Sequence, residues 1–198
     1  MRAASCRISL PSQTGTSLIE VLVTLVILMV GLLGLTGVMV QSQRAQLESY
    51  SRVQALMIVQ DMAARISTNR AASDCYAVTT GADGDAPFLG QGTTVTPACL
   101  TGTAEQSARA VSDMVEWNAM LIGSAETFAG SSVGSVIGAR GCVTTVSAID
   151  RVYQVSVAWQ GNDTIGAPPI GVGCGKDLYG DERQRRAVSV TVRLGTLL

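Results

Sequence analysis

Histidine is absent from this chain. Its absence excludes Ser-His-Asp and Cys-His catalysis, His-ligated zinc and imidazole acid/base chemistry together. No C-x-x-C links any of the five cysteines, Cys6, Cys75, Cys99, Cys142 and Cys174, which disfavours a zinc knuckle and a thioredoxin-like pair. An excess of charge is lacking too. The formal net charge is -1, so nothing pulls the whole chain toward nucleic acid or anionic lipid. Two local stretches look like binding motifs and are incomplete. Asp83 and Asp85 have no later glutamate at the spacing of a calcium loop, and "GVGCGK", Gly171 to Lys176, has Ile170 and Asp177 where a phosphate loop needs glycine and a hydroxyl. No enzymatic activity, cofactor, metal or nucleic acid is expected.

Charge is also nearly missing from one long stretch. Between Ile8 and Gln43 the only charged side chain is Glu20, at the head of an otherwise apolar run. Leu18 to Val40 is long enough to span a bilayer with some tilt. The segment before it, "MRAASCRISLPSQTG", carries Arg2 and Arg7 and no acid, which holds the amino end in the cytoplasm and sends the rest across. A secretory signal peptide has its small-residue cleavage site after the apolar core. Here nothing like A-x-A follows the run before Val40, and the glycine, Gly15, precedes it. Cleavage at Gly15 leaves the hydrophobic helix on the mature chain. An acid inside a spanning helix costs roughly 2.5–3.5 kcal/mol, so Glu20 is a functional candidate unless it merely reaches interfacial water.

Four cysteines lie beyond the run, an even number that suits two disulfides on the oxidising side of a membrane. Four cysteines allow three connectivities. Pairing Cys75 with Cys99 and Cys142 with Cys174 closes one loop region each, and each bond is then worth on the order of 3–4 kcal/mol in the chain-entropy account.

A short basic leader, Gly15, then "TSLIEVLVTLVILMVGLLGL" resembles the class III signal of the type IV pilin-like superfamily, which includes type II secretion pseudopilins. The resemblance implies cleavage between Gly15 and Thr16 by a prepilin peptidase, methylation of the new amino terminus on Thr16, and an assembly role for Glu20. On a helix Thr16 and Glu20 share a face, so the new ammonium and the carboxylate can pair within one subunit or between neighbours and fix axial register. Two features depart from the common pattern: Thr16 stands where phenylalanine is usual, and Gly31, Gly34 and Gly37 stand where many major pilins have a kinking proline. Scattered stretches from Asp113 to Leu194 are similar to minor pilins of type IV pili. The implied protein primes pilus assembly with other minor pilins and the major pilin, in a complex able to carry a tip adhesin. It resides in the bacterial inner membrane as a single-pass protein with a periplasmic carboxyl-terminal domain, and in the pilus when assembled. A minor pseudopilin and a DNA-uptake pilin share the same head. A membrane-anchored periplasmic enzyme is the alternative from another class.

The expected fold is α+β: a long amino-terminal helix, its first half membrane-spanning, packed on a small antiparallel sheet. The expected divisions are a cleaved leader, 1–15; the transmembrane and assembly half of the helix, 16–42; its second half, 43–70; and a globular domain, 71–198. "QSQRAQLESYSRVQALMIVQDMAARISTNR" has no helix breaker. Leu47, Tyr50, Val53, Met57 and Ala64 share one sector of it, while Leu56, Ile58, Val59 and Met62 make other sides apolar. A helix apolar on several sides expects more than one partner. Thr79 to Cys99 reads as loop. Thr103 and Gln106 suit a capping box for a second helix, with Ala108, Val111, Val115, Ala119 and Ile122 along one face. "GCVTTVSAID", "RVYQVSVAWQG" and "AVSVTVRL" read as strands, the second half-buried. The basic run "ERQRR" reads as a solvated edge, with a DNA or acidic-partner role as the lesser alternative.

Overall fold

The computed structural model describes residues 15–93, 95–124, 127–128, 130–132 and 136–195; the leader residues 1–14, with Arg2, Cys6 and Arg7, lie outside the described residues. The element order is helix α1 (Leu18–Thr68), a 3-10 turn (Arg70–Tyr76), strand β1 (Leu89–Gly90), helix α2 (Ala104–Ile122), the two-residue strands β2 (Thr127–Phe128) and β3 (Ser131–Ser132), then β4 (Arg140–Ser147), β5 (Val152–Gln160) and β6 (Arg185–Arg193). The class is α+β: a long amino-terminal helix and a four-stranded antiparallel sheet in the order β1-β4-β5-β6, with β2 and β3 forming a separate hairpin. The chain divides into two compact units between Arg44 and Ala45.

From Ala45 onward, α1 buries Ala55, Ile58, Val59, Met62 and Ile66. Their spacing is one helical stripe. They join Ala110, Met114, Trp117 and Leu121 of α2 and Val143, Tyr153, Val155, Val157 and Trp159 of the sheet in one core. The other face of the sheet places Cys142 and Ala158 against Cys174 and Tyr179 from the irregular excursion between β5 and β6. β5 is therefore buried on both faces, Ser156 and Ala158 included, and not half-buried as its alternation suggests. The excursion covers what would otherwise be a wet face.

Thr103 and Gln106 form the capping box at the start of α2: Gln106 N–H donates to Thr103 Oγ1, and Thr103 N–H donates to Gln106 Oε1 at 2.9 Å. The helix stops at Gly123, whose φ of 74° is a left-handed conformation that other residues adopt at a cost. The face α2 buries is Ala110, Asp113, Met114, Trp117 and Leu121. Ala108, Val111, Val115, Ala119 and Ile122 lie along its flank, with Val115 exposed. The helical period is as expected and the sector is not, because the indole and Met114 offer more area to bury than the alanines and valines.

Cys75 is bonded to Cys99 and Cys142 to Cys174. The second bond is sealed, with both cysteines 0% exposed; the first is only partly buried. Thiol–disulfide exchange needs access to a sulfur. Mild reduction of the native chain, quenched with an alkylating agent and mapped by peptide mass, should label Cys75 and Cys99 well before Cys142 and Cys174. Simultaneous labelling would contradict the burial difference.

Candidate functional site

Gly15, Thr16 and Ser17 precede the helix as irregular, exposed chain. The carbonyl of Ser17 accepts the first helical bonds, from Glu20 N–H at 3.0 Å and Val21 N–H at 3.3 Å. Glu20 therefore sits in the first turn, where a carboxylate complements the positive end of the helix dipole. A Cβ added at Gly15 would meet nothing within 4 Å among the described residues. No packing among the described residues asks for glycine at that position.

Every large apolar side chain from Leu18 to Val40 is about half exposed or more. The helix that carries them is, among the described residues, the one long and apolar enough to cross a membrane. Three polar side chains interrupt it. Thr24 and Thr36 donate to the carbonyls of Val21 and Leu33 at 2.8 and 2.9 Å, so their hydroxyls are satisfied inside the helix. Glu20 makes no side-chain hydrogen bond or ion pair among the described residues. Gly31, Gly34 and Gly37 also have open space where a side chain would be.

Beyond Arg44 the helix has two apolar faces. One is the core stripe. The other carries Leu47, Tyr50, Val53 and Met57, exposed by 58%, 67%, 52% and 58%, with Ala64 exposed in the same sector. The helix is held against the body of the chain by charge as well as by packing. Arg65 donates to Asp61 at 2.6 Å, to Glu116 at 2.8 Å and to Asp113 at 2.9 Å. Burial works against the charge of Arg65, yet its bonds to Glu116, Asp61 and Asp113 more than offset this and raise its pKa above the usual arginine value. Tyr76 donates to the buried Asp113 at 2.6 Å; burial, reinforced by that acceptor, pushes the phenol up. Trp117 Nε1 donates to the carbonyl of Ile58 at 2.9 Å. These contacts fix α2 beside α1 and leave the sector from Leu47 to Ala64 uncovered.

The other sequence candidates are absorbed by structure. In "ERQRR", Arg185 and Arg186 are buried and bound to Glu182 and Glu48, each at 2.7 Å, so this run is not a solvated edge. Asp83 lies 3.3 Å from Lys176, and among the described residues no group of three or more His, Cys, Asp or Glu is arranged to hold a metal. Sequence reading missed the Arg65–Asp113 centre, although the four-residue spacings Asp61/Arg65 and Arg109/Asp113 were available to find it.

Comparison with known proteins finds no matching family model, no matching curated protein and no matching solved structure.

Proposed function

We propose that this chain is a minor pilin. A prepilin peptidase removes residues 1–15 and methylates Thr16; the mature chain waits in the bacterial inner membrane with its carboxyl-terminal part in the periplasm. It then co-assembles through α1 with other minor pilins and the major pilin to prime a type IV pilus near its tip, where the complex can carry an adhesin. Its role is structural. A long amino-terminal apolar helix with its later part packed on a small antiparallel sheet is consistent with a pilin-like fold. The stretches "VGLLGL", "DMVEWNAML", "GARGCVTT", "YQVSVAWQG" and "RQRRAVSVTVRL" resemble the minor pilin PilV.

The observation that carries the proposal is the solitary state of Glu20. In lipid the two threonines of the segment are self-sufficient, and the carboxylate is the polar side chain of that segment without a partner among the described residues. A buried charge is tolerable when a counter-charge meets it. Assembly supplies one, the α-ammonium created at Thr16 on the same or a neighbouring helix. The uncovered sector from Leu47 to Ala64 gives a neighbour a second place to pack.

Processing tests the reading directly. Membranes holding the full chain, incubated with a prepilin peptidase, should yield a mature form beginning at Thr16, seen by intact mass and amino-terminal sequencing. Because a Cβ at position 15 meets nothing within 4 Å among the described residues, Gly15→Val should leave folding unchanged and stop the cut. A chain that stays full length, or is cut after Val40 instead, would refute the proposal.

A further inference from the structure

The two edges of the four-stranded sheet are handled differently. At the β4 edge, β1 covers Arg140 and Gly141, Thr79 exchanges two hydrogen bonds with Val143, and the register slips between Thr145 and Ser147. Covering and bulging are how sheets blunt an edge against unwanted pairing. Among the described residues the β6 edge has neither. β6 pairs with β5 in unbroken register from Arg185↔Gln160 to Arg193↔Val152. The bonds Gly161 N–H to Gln184 O at 2.8 Å and Leu194 N–H to Arg151 O at 3.1 Å bracket that ladder. Antiparallel alternation then aims the backbone groups of Arg186, Val188, Val190 and Val192 at β5, and those of Ala187, Ser189 and Thr191 outward. Among the described residues no hydrogen bond meets those outward groups. The strand has no lysine, proline or bulge to guard it, and Ser189 and Thr191 are small and exposed.

We infer that the β6 edge is a docking site for one extended segment of another protein, which joins the sheet beside β6 and brings a carboxylate opposite Arg193. Arg193 is the most open cation of the strand: its side chain is 74% exposed and its ion pair with Asp150 is long, 3.7 Å, whereas Arg185 and Arg186 are buried against Glu182 and Glu48, each at 2.7 Å. The incoming strand alternates. Its apolar residues extend the row of Val188, Val190 and Val192, and its polar residues lie beside Ser189 and Thr191. A second copy of β6 fits poorly, because two-fold antiparallel overlap of the whole strand sets Arg193 opposite Arg185, like charge against like. The site lies wholly in the unit from Ala45 onward and does not depend on the membrane segment assembling.

The full chain in detergent, titrated with a fluorescein-labelled peptide of alternating valine and threonine bearing a glutamate at the end that meets Arg193, reports on the edge by anisotropy. Saturable binding is expected. Ser189→Pro removes one outward N–H and leaves the ladder to β5 intact, so it should weaken binding by about tenfold or more with little change in thermal midpoint. Should that variant unfold, Arg193→Glu decides the matter: it should weaken the glutamate peptide and strengthen a lysine-ended one. No saturable binding to the unmodified chain, or unchanged affinity in the folded variants, overturns the inference. So does a dimer of the chain that the peptide displaces, which would put a second copy on the edge.

Discussion

Replacing Glu20 by alanine is expected to leave the chain inserted and cut after Gly15, yet keep it out of pili. Removal of the acid relieves a cost of roughly 2.5–3.5 kcal/mol for burying it in the bilayer, so insertion is not harmed. On the proposed reading what disappears is the counter-charge for the Thr16 ammonium, and an uncompensated buried charge costs about 3–5 kcal/mol. At RT near 0.6 kcal/mol that abolishes incorporation for practical purposes. A rival account is local: a first-turn carboxylate steadies the helix dipole by about 0.3–1 kcal/mol. The double change Leu18→Glu with Glu20→Ala separates the two, because it keeps an acid in the first turn but sets it about 160° away from the face of Thr16. Dipole support alone predicts recovery, and register predicts none. Blots for precursor and mature forms, with counts of surface pili, read all the variants. Normal pilus numbers with fully processed Glu20→Ala, in cells where deleting the gene removes pili, would sink the register role.

How far the sequence could be read depended on whether the deciding force was local. The extent of α1 follows from an apolar run continued by a stretch, Gln41 to Arg70, without proline or glycine, and the start of α2 from two side chains three residues apart, Thr103 and Gln106. β4, β5 and β6 are long enough to carry their alternation. β1, β2 and β3 are two residues each and exist only because a distant strand or a turn pairs them, so no local pattern announces them. The choice of face was the other loss. Two apolar sectors compete on α1, and the one that wins does so because α2 bonds to it through Trp117 and Arg65, partners 59 and 48 residues away in sequence. Asp113 faces the core although it is charged, since Arg65, Arg109 and Tyr76 converge on it. Arg186 is buried by Glu48, 138 residues earlier. At the head of the helix the expectation was local as well: among the described residues neither a Cβ at Gly15 nor the side chain of Glu20 meets a tertiary partner.

The largest effect on stability should come from Trp117. Its indole is fully buried between α1 and the sheet, donates to the carbonyl of Ile58, and stacks over a strand position that only glycine can fill. A Cβ at Gly141 would stand 2.3 Å from Trp117 Cη2 and 2.6 Å from both Trp117 Cζ3 and Leu121 Cδ1, well inside contact distance. Trp117→Ala should cost about 3–5 kcal/mol from the cavity it leaves and the carbonyl it strands, which lowers the melting midpoint by about 10 °C for a unit of this size. Gly141→Ala should cost about 1–3 kcal/mol by overpacking. The two positions are not independent. Trp117→Phe shortens the ring and withdraws the atoms that the new methyl would strike, so Gly141→Ala should be much less damaging in that background than in the parent. Melting curves for the parent, both single variants and the double variant close the cycle, with a coupling of about 0.5–3 kcal/mol expected for residues in contact. Strictly additive losses would mean that something other than the indole imposes glycine at position 141.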